Sequence, residues 1–232
     1  MTIEFDPARL AQFHAIPFGH QRFAQAKAPQ AWVDSLALEG ANFDIALPAV
    51  VQSREEVRAL CRNPAYPLMY RYICAMAWGN QGAGKGGGNA RRAWEQRDRL
   101  VVILQRLVGG ATSRNEAYTL FCGAGRVAGL GPSYFTKLLF FFWPDETCYI
   151  MDRWTAASMN YLCRRKLVPM STEHITARKD GVCYELYCQA VEQLAVMPDG
   201  GAPLTGEQTE MRLFCRGGKP PGPWRAIVKG AQ

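Results

Sequence analysis

Residues 127–140 read Val-Ala-Gly-Leu-Gly-Pro-Ser-Tyr-Phe-Thr-Lys-Leu-Leu-Phe, and they carry the strongest local signal in the sequence. A predicted helix over 113–121, begun by the capping box Ser113-Arg-Asn-Glu116, leads into two glycines one residue apart. A second predicted helix follows from Pro132 or Ser133. We predict a tight hairpin here, because glycine permits the bend and leaves backbone N–H groups pointing outward at a helix N-terminus. Such groups can bind a phosphate without reading a base sequence.

The rest of the chain is also predicted to be mostly helical. Further capping boxes begin helices at Ser53 and Thr205. Apolar residues at helical spacing cover 68–78, 90–108, 133–143, 152–163 and 182–196. The first 50 residues are the least periodic, so the sequence leaves undecided whether short strands form near the N-terminus.

The composition is that of a folded domain. The 232 residues are 48% hydrophobic, which excludes a disordered tail and supplies a sizeable core. The longest apolar run of note, 138–143, is far too short for the roughly 20 residues that cross a membrane. The acidic start Met-Thr-Ile-Glu-Phe-Asp lacks the basic residues of a signal peptide, so we expect it to be part of the mature protein.

The eight cysteines do not form a metal-binding pattern. Most of them lie among apolar neighbours, which is typical of small core residues in a reducing cytoplasm. Only Cys183 and Cys188 approach a close pair, and no second pair lies near them. We therefore predict no zinc site and no iron–sulfur cluster.

Positive charge is concentrated in the middle of the chain. The formal net charge is +7, and residues 61–140 hold 11 Lys and Arg against 3 Asp and Glu. This distribution favours a polyanion as partner, most simply nucleic acid.

The segment Gly79-Asn-Gln-Gly-Ala-Gly84-Lys85-Gly86 nearly matches a phosphate-binding P-loop. That loop requires Ser or Thr after the lysine to bind magnesium, and Gly86 stands there instead. A nucleotide binder dependent on Lys85 therefore stays only as an alternative. The segment fits better as a polar, positively charged loop that approaches a phosphate or a base. A linker with no binding role is the other interpretation.

Nineteen residues beyond Ser133, an apolar run ends in Ile150-Met-Asp152-Arg-Trp154. A two-glycine hairpin with an aspartate at this distance resembles the helix–hairpin–helix DNA glycosylases. The sequence is most similar to the 8-oxoguanine DNA glycosylases and their small bacterial relatives, over roughly residues 70–215. The resemblance implies a mostly α, two-lobed fold formed by residues 1–232. Its hairpin would span about 113–143, and its active site would lie between the lobes.

The resemblance also implies roles for individual residues. Asp152 would be the essential carboxylate that stabilises the oxocarbenium-like sugar as the N-glycosidic bond breaks. Glu210 and Phe214 would line the base pocket. The residues that would bind DNA or fill the gap left by the flipped base are Gly129, Gly131, Ser133, Asn80, Lys85, Asn89, Arg91 and Arg92.

Two departures from the family pattern bear on the reaction. Members that also cut the strand place a nucleophilic lysine where this chain has Ser133, so we expect a monofunctional enzyme that leaves an abasic site. Lys137, one turn further along the same helix face, is a candidate substitute. Glu210 stands where the 8-oxoguanine enzymes commonly use Gln, so the substrate is either an 8-oxoguanine-like base or a hypermodified, phage-type cytosine. The cytosine substrate would imply antiviral defence rather than DNA repair.

Simpler explanations remain for the same residues. Asp152 could only cap the following helix, since Asp is a favoured N-cap. Phe214 could be an ordinary core residue, and the protein could be a non-catalytic helix–hairpin–helix DNA-binding module. We expect the protein to be a cytoplasmic monomer with no membrane partner. Its partner would be double-stranded DNA containing a modified base, and it would be nucleoid-associated when bound to that DNA. We expect no cofactor, a monovalent cation at the hairpin being the one exception left open.

Overall fold

The computed structural model describes residues 3–16, 26–80, 87–171, 174–176, 181–197, 203–214 and 222–231, and these residues are mostly helical. Twelve α-helices lie within this part of the chain: α1 Pro7–Ala15, α2 Pro29–Leu36, α3 Arg54–Arg62, α4 Leu68–Trp78, α5 Gly88–Trp94, α6 Arg97–Gly109, α7 Arg114–Thr119, α8 Pro132–Phe142, α9 Arg153–Leu162, α10 Val182–Ala195, α11 Gly206–Phe214 and α12 Pro223–Gly230. The predicted mostly α fold class is confirmed.

Local capping chemistry starts several of these helices where the sequence predicted. Ser53 Oγ accepts from Glu56 N while the Glu56 carboxylate accepts from Ser53 N, which completes a capping box at α3. Thr205 and Gln208 exchange the equivalent pair of bonds at the start of α11. Each exchange satisfies backbone donors that the first helical turn leaves unpaired.

The described part of the N-terminal region contains helices rather than strands. Helices α1 and α2 occupy much of it, and Asp6 caps α1 by accepting from Ala8 N at 3.0 Å and Arg9 N at 3.1 Å. Within the described residues, β-structure amounts to two isolated bridges, Phe5 with Cys163 and Met170 with Ile175. No short strand is therefore present among the described residues near the N-terminus.

Two sets of helices build the core. Helix α4 packs against α2, α3, α6 and α8, and its residues 72–77 are fully buried. Helix α9 packs against α1, α10, α11 and α12. Helix α7 contacts both α8 and α10, so it joins the two sets. The division into two lobes stays a prediction.

Seven cysteines lie in the described residues, and all seven are buried. Cys215 lies outside them. Across the same described ranges, no group of three or more His, Cys, Asp or Glu side chains is arranged to hold a metal ion. No helix in this part of the chain is both long enough and apolar enough to cross a membrane.

Candidate active site and DNA interface

The two hairpin glycines have different structural roles. Gly129 has φ +85°, a left-handed conformation that favours glycine, and a Cβ added there would overlap the backbone carbonyl oxygen of Asn89. Gly131 is extended, with φ −84°, and is the N-cap of α8 with Pro132 as the first helical residue. The hairpin therefore sits directly against the N-terminal turn of α5, which brings Gly129 and Asn89 together.

Polar side chains fasten the hairpin to the basic helices beside it. The Gln96 side chain donates to the Ala128 carbonyl at 3.3 Å and accepts from the Ala128 N–H at 3.2 Å. Arg99 donates to the Ala124 carbonyl. These contacts place the α5–α6 junction, with its arginines, next to the hairpin turn.

The other predicted DNA-binding residues lie around α5 and the end of α4. Arg92 is exposed, and its guanidinium donates to Asn89 Oδ1 at 2.6 Å. Arg91 is exposed as well, and its Nε donates to the Leu36 carbonyl at 2.8 Å. Asn80 follows α4 in a left-handed conformation with φ +46°. Lys85 lies outside the described residues.

Asp152 is the N-cap of α9. Its Oδ1 accepts from Trp154 N at 2.7 Å and from Thr155 N at 2.9 Å, while its own N–H donates to Thr155 Oγ1 at 2.9 Å. The capping role is thus real, and it uses one carboxylate oxygen. Among the described residues, no hydrogen bond reaches Oδ2, so the half-buried carboxylate keeps an oxygen for a ligand.

Residues that the sequence did not single out hold Asp152 beside α8. Thr136, buried on α8, accepts from Met151 N at 3.1 Å through Oγ1. Tyr187, buried on α10, donates to the Ile150 carbonyl at 2.8 Å. The short segment before Asp152 is therefore fixed from two sides.

Lys137 lies on α8 in the same region. Its Nζ donates to the Ser133 carbonyl at 2.7 Å and lies 4.9 Å from the centre of the Tyr134 ring. A Cβ on Gly79 would lie 2.7 Å from Lys137 Cδ, so the end of α4 closes over the lysine stem. The pKa of Lys137 is lowered, because burial disfavours its charged form. The negative charges of Asp152 and Glu210 oppose this shift but do not cancel it. The structure thus brings Lys137, Asp152 and Glu210 within electrostatic reach of one another.

Glu210 is buried on α11 with 3% of its surface exposed. Its Oε2 accepts from Arg54 on α3, a residue that the sequence did not single out. Arg54 also forms an ion pair with Glu207, with Nε to Oε1 at 3.2 Å, and its guanidinium carbon lies 4.1 Å from the centre of the Phe140 ring. The pKa of Glu210 is raised to about 7, because burial favours the neutral form more strongly than the nearby Arg54 charge favours the ionised one.

Phe214 lies one helical turn after Glu210 and is half-buried. The Arg225 guanidinium carbon is 5.4 Å from the centre of its ring, and Arg225 donates to the Phe214 carbonyl at 3.2 Å. A shallow cavity of about 530 Å³ lies elsewhere, between α2 and residues 37–47, and none of the predicted site residues lines it.

Residues 12–214 match the model of a protein family described as "Putative 8-oxoguanine DNA glycosylase OGG-like protein". Comparisons with curated proteins and with solved structures found no significant match. The matched region contains every predicted site residue, from Asn80 to Phe214.

Proposed function

Because this chain belongs to the family described as "Putative 8-oxoguanine DNA glycosylase OGG-like protein", we propose that it flips a damaged or modified base out of double-stranded DNA and hydrolyses its N-glycosidic bond. The product would be an abasic site in an uncut strand. The observation that carries this proposal is the position of Asp152. Thr136 on the hairpin helix α8 accepts from the backbone N–H of the preceding residue, Met151, and the Asp152 carboxylate is fixed by the N–H groups of Trp154 and Thr155, with one oxygen left for a ligand.

DNA would be held first through its backbone. The hairpin presents the N-terminus of α8 at Gly131, where unpaired backbone N–H groups can bind a phosphate. Asn89 and Arg92 are joined to each other and lie against the same turn, which suits them to hold the strand opposite the everted base. Asn80, Lys85 and Arg91 are proposed to contribute to the same interface.

The chemical step would rest on charge placement. As the bond to the base lengthens, the deoxyribose becomes cationic, and a fixed carboxylate stabilises that charge without having to reorganise. Asp152 would supply this carboxylate, and a water molecule would then attack C1′ of the sugar. Base eversion costs a few kcal/mol, and a damaged or mispaired base reduces that cost.

Glu210 and Phe214 would form the base pocket on α11, where they lie one helical turn apart and so share a face. An aromatic ring stacks on any base, whereas a carboxylate selects bases that offer hydrogen-bond donors. Both guanine lesions and phage-type modified cytosines offer such donors. Excision of a guanine lesion would be DNA repair, and excision of a phage-type cytosine would be antiviral defence.

The proposal is tested by the Asp152→Asn variant. Asparagine is as good an N-cap as aspartate, so α9 should keep its first turn while the negative charge is lost. We expect DNA affinity to stay near the wild-type value and base release to fall at least about a hundredfold, as for loss of other preorganised charge-stabilising groups. The assay is single-turnover incubation with duplexes carrying 8-oxoguanine or 5-hydroxymethylcytosine, followed by mass analysis of the released bases.

Two results would overturn the proposal. Base release by the variant at the wild-type rate would remove Asp152 from the mechanism. Tight DNA binding by the wild-type protein with no base released from any duplex would instead favour a non-catalytic DNA-binding module.

Lys137 favours a second candidate, a glycosylase that also cuts the strand. An amine whose pKa is lowered by burial is a better nucleophile at neutral pH, and the neighbouring Asp152 could accept a proton from it. Against this, the Lys137 Nζ already donates to the Ser133 carbonyl at 2.7 Å. Hydrolysis by water therefore remains the first proposal.

A further inference from the structure

Arg54 and Glu210 form a buried ion pair between two helices that are far apart in the sequence. Arg54 lies on α3 and Glu210 on α11, with 5% and 3% of their surfaces exposed. The Arg54 guanidinium stacks over Phe140 at 4.1 Å and lies 5.5 Å from the Trp78 ring. These aromatic contacts fix the guanidinium plane, so Arg54 presents its donors in one direction.

The hydrogen bonds leave a defined part of the Glu210 carboxylate for a ligand. Oε2 accepts from Arg54 Nη2, and in the described residues nothing donates to Oε1. Arg54 Nη1 is buried without a hydrogen-bond partner, and Nε faces Glu207 at 3.2 Å. Glu210 is thus held in one orientation by a partner that stabilises its ionised form.

Several other charged or titratable groups act on this carboxylate. From the surrounding elements these are Lys137 on α8, Asp152 at the start of α9, Tyr187 on α10 and Glu207 on α11. Asp152 and Glu207 are negative and oppose ionisation of Glu210, whereas Lys137 favours it. Arg54 is the cation in direct contact with Glu210, so it has the largest part in keeping the carboxylate charged.

The charge of Glu210 determines which base edge it can pair with. An ionised carboxylate only accepts hydrogen bonds, and the pairing edge of guanine offers two adjacent donors, N1–H and the N2 amine. The pairing edge of cytosine combines the N4 amine donor with the N3 acceptor, and N3 would face a carboxylate lone pair. A protonated carboxyl group, which donates and accepts, fits the cytosine edge instead.

We infer that Arg54 is a positioning residue that sets base specificity: it holds Glu210 as an ionised acceptor, and so directs the pocket to guanine-type bases and against cytosine-type bases. This inference rests on the proposed function, because it assumes that Glu210 faces the everted base. It also decides between the two substrates left open above, in favour of a guanine lesion.

Burial keeps the pKa of Glu210 raised, at about 7, even beside Arg54, so the charge of this carboxyl group changes within the neutral pH range and the assignment can be tested by pH. A raised pKa means that the carboxyl group is protonated below pH 7 and ionised above it, so preference for the guanine edge should increase as the pH rises through 7. Without Arg54 the cause that lowers this pKa is lost. The protonated form would then persist to a higher pH.

The test uses the full chain and two duplexes, one with 8-oxoguanine and one with 5-hydroxymethylcytosine, in single-turnover assays from pH 6 to pH 9. For the wild type we expect 8-oxoguanine to be released faster, with a ratio that increases through pH 7. For Arg54→Gln we expect the midpoint of that profile to rise by about one pH unit, which lowers the ionised fraction of Glu210, and with it 8-oxoguanine release at pH 7, by about fivefold. Arg54→Lys should restore part of the shift, because it keeps the charge.

Arg58→Gln is the matched control. Arg58 also lies on α3 and pairs with Glu207 at 2.5 Å, but it does not contact Glu210. This variant breaks a different ion pair between α3 and α11 and leaves Arg54 on Glu210, so it should leave the pH profile unmoved. Glu210→Gln should abolish the pH dependence of the ratio.

The outcomes separate this inference from the proposed function. If the wild type releases neither base, the proposed function fails. If it releases 8-oxoguanine but Arg54→Gln keeps the wild-type ratio and profile, the inference alone fails. The wild-type profile decides the matter even where Arg54→Gln does not fold, since faster release of 5-hydroxymethylcytosine at pH 8 contradicts it.

Discussion

Gly129 and Gly131 offer a matched pair of substitutions that tests the hairpin. In Gly129→Ala, the backbone of the new alanine must keep φ +85°. Its methyl group would lie 2.9 Å from the Asn89 carbonyl carbon. In Gly131→Ala, the residue is already extended at φ −84°, and no atom lies within 4 Å of the added Cβ. The same change in chemistry therefore meets two opposite environments within three residues.

The expected magnitudes follow from these geometries. The left-handed backbone costs a non-glycine residue about 1–2 kcal/mol. Overlap with the backbone of Asn89 adds about 1–3 kcal/mol, because the neighbouring atoms belong to a main chain that must shift as a unit. We expect Gly129→Ala to lose about 2–5 kcal/mol of the free energy of unfolding. We expect Gly131→Ala to change it by less than about 1 kcal/mol, because the gain through the unfolded state is opposed by the poorer fit of Ala at an N-cap.

Urea unfolding followed by circular dichroism measures both values, and thermal melting checks them. At about 2–4 °C per kcal/mol for a chain of this size, Gly129→Ala should melt at least about 4 °C below the wild type. A Gly129→Ala protein as stable as the wild type would refute the close contact with Asn89. Equal losses in both variants would show that the conformation of the turn is not what distinguishes the two glycines.

Three further predictions concern the reaction and the DNA. Borohydride should trap no covalent complex with the wild type, and an adduct that disappears in Lys137→Ala would instead establish the strand-cutting candidate. Arg92→Gln should weaken DNA binding for every sequence and reduce the slope of log affinity against log salt by about 1, whereas Lys166→Gln, exposed on the loop after α9, should leave the slope unchanged. Base release should persist in EDTA, because we expect no divalent metal in the mechanism, and an activity that EDTA abolishes would contradict this.

Features of the fold that depend on neighbouring residues were predictable from the sequence. The capping boxes at Ser53 and Thr205 satisfy backbone donors within four residues, so their pattern alone locates the starts of α3 and α11. The prediction of a continuous helix over 90–108 was wrong, because the structure ends α5 at Trp94 and begins α6 at Arg97. Gln96, between them, bonds to the backbone of Ala128 in the hairpin, and such a long-range contact leaves no trace in local periodicity.

The candidate site likewise combines features that the sequence predicts with features that depend on long-range contacts. The spacing between the hairpin and Asp152 is a local property, and the structure does bring this aspartate to α8. What holds it there, Thr136 on α8 and Tyr187 on α10, acts through single hydroxyl groups on otherwise apolar faces, which a sequence pattern does not distinguish from core residues.

The Arg54–Glu210 pair shows why the chemistry of the pocket is harder to predict than its position. The two residues are 156 positions apart, and each alone is typical of a solvated helix face. Removing either one alone would leave the other charge buried and unpaired, so the stability of each residue's position depends on the other. The resemblance implies a polar residue at position 210, but the protonation state of Glu210 depends on a partner contributed by a different helix. Under the proposed function, specificity for the base would therefore depend on the tertiary contacts that surround Glu210 and not on the identity of residue 210 alone.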